Sequence, residues 1–181
     1  SVDEKPSGGG PGMVLRADVI DTAINNCFKK NRPLIYFSPK GKPLNQDTIE
    51  KFSSTKGVSI ICGHFEGIDQ RIIDLHDIEE ISIGDYILSG GEIATIVFLD
   101  SLVRLLPDVL GNDNSKKIET FTDGLLEYPQ YTKPNEFKGM KIPDILLSGN
   151  HKAIKEWQEN QALSLTKLRR PDLIDKKKDK I

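Results

Sequence analysis

Short apolar runs alternate with helical periodicity along the first hundred residues of the chain. Three runs have the length and side chains of buried strands, namely residues 33–38 ("PLIYFS"), 58–62 ("VSIIC") and 78–83 ("IEEISI"). The segment before the first run has helical spacing, with one apolar face formed by Ala17, Ile20, Ile24, Cys27 and Phe28. Alternating buried strands and helices predict an α/β fold with a parallel sheet covered on both faces.

Further helices are indicated between and after these strands. Asn45 is a predicted N-cap for residues 46–54, and residues 68–75 also have helical spacing. Residues 92–106 ("EIATIVFLDSLVRLL") are too long and too apolar for a strand. A mostly buried helix is therefore predicted there.

The pattern changes after Leu110. A polar linker without periodicity leads into an aromatic stretch broken by prolines. Asn150 is then a predicted N-cap of a helix that places Ile154, Trp157 and Gln161 on one face. We therefore predict a first domain over residues 1–110, a linker over residues 111–124 and a small all-helical domain over residues 125–181.

Charge is distributed unevenly along a chain whose formal net charge is −2. Residues 1–135 carry 14 basic and 20 acidic side chains, whereas residues 136–181 carry 11 basic and 7 acidic ones. A mildly acidic body with a basic tail is compatible with an RNA partner held at one end. A solvated helix end has the same composition.

Cysteine usage and the absence of long apolar runs suggest the compartment. Cys27 and Cys62 lie in apolar segments, so buried, reduced thiols of a cytoplasmic protein are predicted. No apolar run reaches membrane-spanning length. The first residues, "SVDEKPSGGGPGMV", lack the basic and then apolar order of a signal peptide.

Glycine-bearing loops follow all three predicted strands: "SPKGKP", "CGHFEGID" and "IGDYILSGGE". Ligands of open parallel sheets bind at the carboxyl ends of the strands, where such loops converge. None of the loops has a phosphate-binding pattern, and the absence of a dinucleotide fingerprint argues against an oxidoreductase. A pocket is predicted for a flat, neutral or cationic ligand, bound through backbone groups and apolar contact.

Five motifs in one order resemble the bacterial tRNA (guanine-N1)-methyltransferases of the TrmD type, in the trefoil-knot (SPOUT) class: "CGHFEGID", "ISIGDYILSGGE", "DSLVRLLPDVLG", "GLLEYPQYTKP" and "ILLSGNH". The resemblance extends from "GGGPG" into the C-terminal helices. It implies a deep trefoil knot, a rare exception to the rule against threaded chains. It also implies methyl transfer from S-adenosyl-L-methionine to N1 of the guanine at position 37 of tRNA, next to the anticodon.

The resemblance has further implications for partners and cofactors. A homodimer is expected, with each active site shared between the two subunits, and the C-terminal domain is expected to bind tRNA. Mg²⁺ is implied in catalysis, and no metal ligands are assigned.

Carried over by position, the resemblance assigns residues of all three loops to the methyl donor: Tyr36, Ser38, Pro39, Gly63, Glu66, Ser82, Ile83, Gly84, Asp85, Tyr86, Ile87, Leu88, Gly90 and Gly91. Glycines in such loops let the backbone approach an adenine ring closely. Glu66 is expected to face the amino group or the sulfonium of the donor. A carboxylate at the start of the following helix also has a structural use.

The reaction needs a base, because N1 of guanine carries a proton at neutral pH. The resemblance implies an aspartate in the linker, and this sequence has Glu119 at that position, one methylene longer. Asp113 and Asp123 are the alternatives. Arg104 matches the family's partner of the base and is expected to contact the guanine O6 or a phosphate. An arginine at this place also complements the dipole of the preceding helix.

Two departures from the family pattern motivate a second hypothesis, a non-catalytic knotted module that binds tRNA or the methyl donor. One departure is Glu119, and the other is the strand and helix that the family has ahead of "GGGPG" and this sequence does not include. The three histidines have no metal-ligand spacing and are assigned no catalytic role: His64, His76 and His151. Two tyrosines are candidates either for stacking on RNA bases or for packing within the linker: Tyr128 and Tyr131.

Overall fold

The structure is a computed structural model that describes residues 1–107, 109, 120–121 and 124–178. The chain divides into two compact units, Ser1–Leu110 and Gly111–Ile181. Within the described residues, no helix combines the length and the apolar character that a membrane span requires.

The first unit is built on a three-stranded parallel sheet. Its strands are β3 (Leu34–Pro43), β4 (Ser59–Ile61) and β5 (Glu79–Ser82), in the order β4-β3-β5. In the central strand β3, Ile35 is paired with Ile60 of β4 on one side and with Glu79 of β5 on the other. The predicted parallel α/β arrangement is therefore confirmed.

Strand β3 extends beyond its predicted end. A break was expected after Ser38, yet β3 continues to Pro43, because Ile81 pairs first with Phe37 and then again with Lys42. A Cβ atom at Gly41 would collide with the backbone of Ile81. Glycine at this position allows the chain, after residues 38–41 leave the pairing with β5, to pair with β5 again at Lys42.

Four helices connect and cover the strands of this unit. They are α1 (Ala17–Cys27), α2 (Gln46–Ser53), α3 (Gln70–Leu75) and α4 (Gly91–Val103). The predicted cap of α2 is confirmed, since the Thr48 N–H donates to Asn45 Oδ1 over 2.9 Å.

Apolar side chains form one cluster on each face of the sheet. The first cluster packs α1 and α3 against the sheet and includes Ile24, Tyr36 and Ile72. The second packs α2 and α4 against the other face. Its centre is Phe98, which is fully buried with ring centroids 5.7 Å from Phe37 and 5.4 Å from Phe52.

Helix α4 is much less buried than its sequence suggested. Only Gly91, Ala94 and Phe98 are buried, so the prediction of a mostly buried helix is wrong. Its other faces leave large apolar side chains 40–60% exposed: Ile93, Ile96, Val97, Leu99 and Val103. One stripe of the helix suffices to cover this face of the sheet, and the described residues of the first unit leave the remaining apolar surface exposed.

The predicted burial of the two cysteines is also wrong. Cys27 and Cys62 are both free thiols and both exposed. Cys27 is the last residue of α1, where the helix end turns it away from the cluster that buries Ile24.

A short hairpin opens the chain. Strand β1 (Asp3–Glu4) pairs antiparallel with β2 (Val14–Leu15). The Leu15 N–H donates to the Gly67 carbonyl over 2.9 Å, which ties β2 to the segment after β4.

The second unit combines helices with a small hairpin. Strands β6 (Glu136–Phe137) and β7 (Met140–Lys141) pair antiparallel through a turn in which Lys138 and Gly139 have positive φ. Three helices follow: α5 (Asp144–Leu147), α6 (His151–Arg169) and α7 (Pro171–Lys178). The prediction of an all-helical segment is therefore wrong, because a two-residue turn with left-handed backbone closes a hairpin.

Helix α6 agrees with its predicted start and face. The Ala153 N–H donates to Asn150 Oδ1 over 3.2 Å, which confirms the predicted cap. Ile154, Trp157 and Gln161 are all half-buried on one face, as predicted. Thr166 is fully buried, and its burial was not predicted from the sequence.

Candidate active site

A cavity of about 290 Å³ lies at the carboxyl ends of β3, β4 and β5. We call the segments that form it the first loop (residues 38–41), the second loop (63–67) and the third loop (83–91). Thirteen of the fourteen predicted donor-binding residues line this one cavity: Tyr36, Ser38, Pro39, Gly63, Glu66, Ser82, Ile83, Gly84, Tyr86, Ile87, Leu88, Gly90 and Gly91. The sheet topology thus brings together residues that are more than fifty positions apart in the sequence.

Asp85 is the predicted donor-binding residue that does not line the cavity. It belongs to the third loop but is exposed to solvent, where its carboxylate stays hydrated. Its assignment to the methyl donor stays a prediction.

The second and third loops meet through their backbones. The Gly91 N–H donates to the Gly63 carbonyl over 3.0 Å. A Cβ atom at Gly63 would lie 2.5 Å from Cε2 of Tyr36, so a side chain there would displace the tyrosine ring. Glycine at these positions keeps the walls of the cavity thin and lets backbone groups face its interior.

Tyr36 forms the floor of the cavity as a neutral phenol. Its side chain is 7% exposed, and burial raises the pKa of the Tyr36 hydroxyl, with the nearby Glu80 carboxylate raising it further. A phenol with a raised pKa holds its proton at neutral pH and is not a base. We assign Tyr36 a packing and hydrogen-bonding role.

Glu66 is held at the cavity by the segment that precedes the first helix. Its backbone N–H donates to the Met13 carbonyl over 2.9 Å. Gly12 has φ +82°, and a Cβ atom there would collide with the Glu66 side chain. Among the described residues that line the cavity, Glu66 is the one carboxylate, and a carboxylate attracts a cationic ligand.

His64 lines the cavity as well and was not among the predicted residues. Its Nε2 lies 2.5 Å from Oε1 of Glu92, the second residue of α4. A hydrogen bond from its own backbone N–H and the one from His64 lower the pKa of Glu92. His64 belongs to the motif "CGHFEGID" and Glu92 ends the motif "ISIGDYILSGGE", but neither motif indicates that these two residues, 28 positions apart, form a pair.

The predicted catalytic residues are not brought together within the described chain. Arg104 directly follows α4 and is exposed at the C-terminal end of that helix. Glu119 lies outside the described residues, and the alternatives Asp113 and Asp123 do so as well.

The described residues contain no cluster of three or more side chains suited to hold a metal ion. His76, one of the histidines that sequence reasoning left without a role, pairs with Asp21, the atoms Nε2 and Oδ1 being 2.6 Å apart.

The residues of the cavity fit the methyl donor that the resemblance implies. Gly63 and Gly91 let the walls of the cavity pack closely, apolar side chains supply a slot for a flat ring, and Glu66 offers a negative charge. Neutral adenine and a sulfonium group match these three properties.

The sequence as a whole matches a known family. The family model described as "tRNA (Guanine-1)-methyltransferase TrmD" matches residues 1–176. Curated relatives named "tRNA (guanine-N(1)-)-methyltransferase" include those of Bartonella henselae, 54% identical over 96% of this chain and 74% of the relative, and Agrobacterium fabrum, 54% identical over 97% and 76%. The relative from Pelagibacter ubique is 51% identical over 98% of this chain and 78% of its own length. With one family model covering nearly every residue and relatives above half identity, the chain belongs to the tRNA (guanine-1)-methyltransferase TrmD family.

Proposed function

We propose that this chain transfers a methyl group from S-adenosyl-L-methionine to N1 of guanine at position 37 of tRNA. The observation that carries the proposal is the convergence of thirteen family-assigned residues on one cavity, in a chain whose family match covers residues 1–176. The names of the curated relatives favour this enzyme over a non-catalytic module.

The cavity selects the donor by shape and charge. Leu88 and Ile83 offer apolar surface for the adenine ring, and backbone groups near Gly90 and Gly91 offer hydrogen bonds. Glu66 is placed to attract the positive end of the donor. When bound, S-adenosyl-L-methionine supplies the methyl group that forms the new bond to nitrogen.

Two side chains act on the guanine in this proposal. Glu119 accepts the proton of N1 as the N1–methyl bond forms and the sulfur–methyl bond breaks, so the carboxylate ends the step protonated. Arg104 donates hydrogen bonds to the guanine O6, which gains negative charge as the proton leaves. Both roles rest on the family position of each residue, and Mg²⁺ is part of the proposal without assigned ligands.

The active enzyme is proposed to be a homodimer. Helix α4 exposes Ile93, Ile96 and Val103 by 57%, 60% and 40%, which is unusual for a helix that also carries the fully buried Phe98. A second copy of the chain covers this apolar face, and it supplies Arg104 and Glu119 to the cavity of its partner. The family resemblance adds that the three loops form a trefoil knot.

The second unit is proposed to contact the tRNA. Residues 136–181 carry 11 basic and 7 acidic side chains, and the Tyr131 ring is 47% exposed with its centroid 6.3 Å from that of Trp157. Basic and aromatic side chains bind RNA through phosphates and base stacking. A tRNA substrate implies that the enzyme works in the cytoplasm.

The test is a methyl-transfer assay with an unmodified tRNA transcript and S-adenosyl-L-methionine. The matched control is the same transcript with adenine at position 37. We expect N1-methylguanine in digests of the first RNA and no methyl transfer to the second. Methylation of both RNAs would refute guanine 37 as the methylated position. The absence of methyl transfer to either RNA would refute the proposed enzymatic activity.

A further inference from the structure

Four contacts join the second loop to the third loop and the start of α4. Two of them involve the backbone: the Gly91 N–H donates to the Gly63 carbonyl, and His64 and Gly90 form an isolated antiparallel β-bridge. Side chains contribute the other two: Cys62 Sγ lies 3.3 Å from Thr95 Oγ1, and His64 Nε2 lies 2.5 Å from Glu92 Oε1. These contacts fix the spacing of two cavity walls.

The His64–Glu92 pair is the outermost of these contacts. Its side chains are 49% and 53% exposed, and they lie over Gly90. A Cβ atom on Gly90 would come within 2.5 Å of Glu92 Oε2 and 3.0 Å of His64 Cε1. Because His64 and Gly90 both line the cavity, the pair lies at its rim rather than in the core of the unit.

We propose that His64 and Glu92 form a clasp that holds the second and third loops at the separation the methyl donor requires. The proposal rests on the proposed function, because it takes the cavity to be the donor site. His64 and Glu92 are positioning residues: they act on donor affinity through Gly90 and Gly91, and not on the methyl-transfer step.

The hydrogen bond of the clasp has a defined direction. Glu92 is ionised at neutral pH, since its pKa is lowered, and an ionised carboxylate only accepts hydrogen bonds. His64 therefore donates from Nε2 in either of its protonation states. An amide at position 64 also donates, so glutamine is the conservative replacement.

The test is calorimetric binding of S-adenosyl-L-methionine to the full chain and to its variants. We expect His64→Ala and Glu92→Ala each to weaken donor binding by about two- to fivefold, the effect of losing one exposed hydrogen bond. The double variant should bind the donor as tightly as each single variant does, because each change removes the same contact. His64→Gln should recover most of the loss.

Steady-state kinetics and hydrogen exchange separate positioning from a general loss of structure. The KM for the donor should rise in His64→Ala while kcat stays within about twofold of the parent. Backbone amides of the third loop should exchange faster in this variant before any ligand is added. His76→Ala is the matched control, since it removes a histidine–aspartate hydrogen bond outside the cavity lining, and it should leave donor affinity unchanged.

Several outcomes would overturn the clasp alone. They are parental affinity and parental amide exchange in His64→Ala, additive losses in the double variant, or an equal loss in His76→Ala. A parent chain that binds the donor but fails to methylate tRNA would refute the proposed function and leave the clasp standing. A parent chain that binds no donor would overturn both.

Discussion

The backbone of Gly91 packs directly against that of Cys62: a Cβ atom on Gly91 would lie 3.0 Å from the Cα of Cys62. Backbone atoms cannot rotate away as the end of a side chain can. A residue with a side chain at this position therefore requires α4 and the backbone of Cys62 and Gly63 to move apart by a few tenths of an ångström.

The first prediction concerns Gly91→Val. We expect donor affinity to fall by about tenfold or more, since the branched side chain of valine needs more room than the Cβ atom alone and the site depends on close backbone approach. Calorimetry with S-adenosyl-L-methionine measures the loss. Thr22→Val, at an exposed position of α1 outside the cavity lining, is the control and should bind the donor normally. Unchanged affinity in folded Gly91→Val would contradict the assignment of the cavity.

The second prediction concerns the base. Glu119→Gln keeps the size and hydrogen bonding of the side chain and removes its basicity, so methyl transfer should fall by about 10²–10⁴ while donor and tRNA binding persist. Glu119→Asp restores the family residue and should retain activity. Single-turnover kinetics with saturating donor isolates the chemical step. A parental rate in Glu119→Gln would move the role to another carboxylate, with Asp113 the first to test.

The third prediction concerns the shared active site. At a donor concentration well below the Kd of Gly91→Val, Gly91→Val and Arg104→Ala should each have little activity alone, whereas their mixture should recover activity through heterodimers that contain one intact site. Random exchange of subunits predicts recovery to about a quarter of the parental rate. Adding Ile96→Asp to both chains charges the exposed face of α4 and should abolish this recovery. An inactive mixture with proven subunit exchange would exclude a shared site.

The fourth prediction concerns the second unit, where the hydroxyl of Thr166 connects two segments. It accepts a hydrogen bond from the Leu126 N–H over 2.9 Å and donates one to the Ala162 carbonyl over 2.7 Å. Thr166→Val leaves the Leu126 N–H without this acceptor, so the free energy of unfolding should fall by about 1–3 kcal/mol. Urea denaturation measures the change, and hydrogen exchange at Leu126 locates it.

Thr22 provides the matched control for this change. Its hydroxyl makes the same bond to the carbonyl four residues earlier, at Asp18, but it is exposed in α1. Thr22→Val should therefore alter the free energy of unfolding by less than about 0.5 kcal/mol. Equal effects of the two substitutions would show that the buried bond to Leu126 contributes nothing specific.

The fifth prediction concerns pH and the start of α3. Asp69 accepts from the Arg71 N–H over 2.9 Å and pairs with the Arg71 guanidinium, and these contacts, led by the side-chain bond, lower the pKa of Asp69 to about 2. An unfolded aspartate titrates near about 3.9. The stabilisation is therefore complete above the unfolded pKa and is lost as the pH falls through the folded one.

Asp69→Asn isolates this effect, because asparagine retains the capping oxygen and removes the charge. The difference in free energy of unfolding between parent and variant should be largest at neutral pH and should shrink between about pH 4 and pH 2. Denaturation curves at a series of pH values measure it. A difference that grows on acidification would have the wrong sign for this mechanism.

Much of the fold was predictable because it depends on local patterns. The apolar runs identified β3, β4 and β5, and Asn45 and Asn150 marked helix starts, because a cap needs only its own neighbouring residues. The convergence of the three loops followed from a parallel sheet, whose strands all end at one edge.

Features that depend on distant partners were not predictable. The apolar sequence of α4 did not reveal which of its faces are covered. Residues that pack into the core of one chain and residues that pack against a second chain are both apolar. The continuation of β3 needed the close approach of Gly41 to Ile81, and the His64–Glu92 pair depends on the meeting of two loops. Composition carries no information about such contacts.

The sheet order β4-β3-β5 has a consequence for the lifetime of the protein. Residues at the ends of all three strands line the cavity. It is therefore complete only when β5, the last of the three in the sequence, has paired with β3. A ligand that binds only the complete cavity stabilises the whole unit, by about 2.7 kcal/mol at a concentration one hundred times its Kd. On the proposed function, depletion of S-adenosyl-L-methionine in the cell would therefore expose the enzyme to unfolding and proteolysis, and its abundance would follow the supply of its own methyl donor.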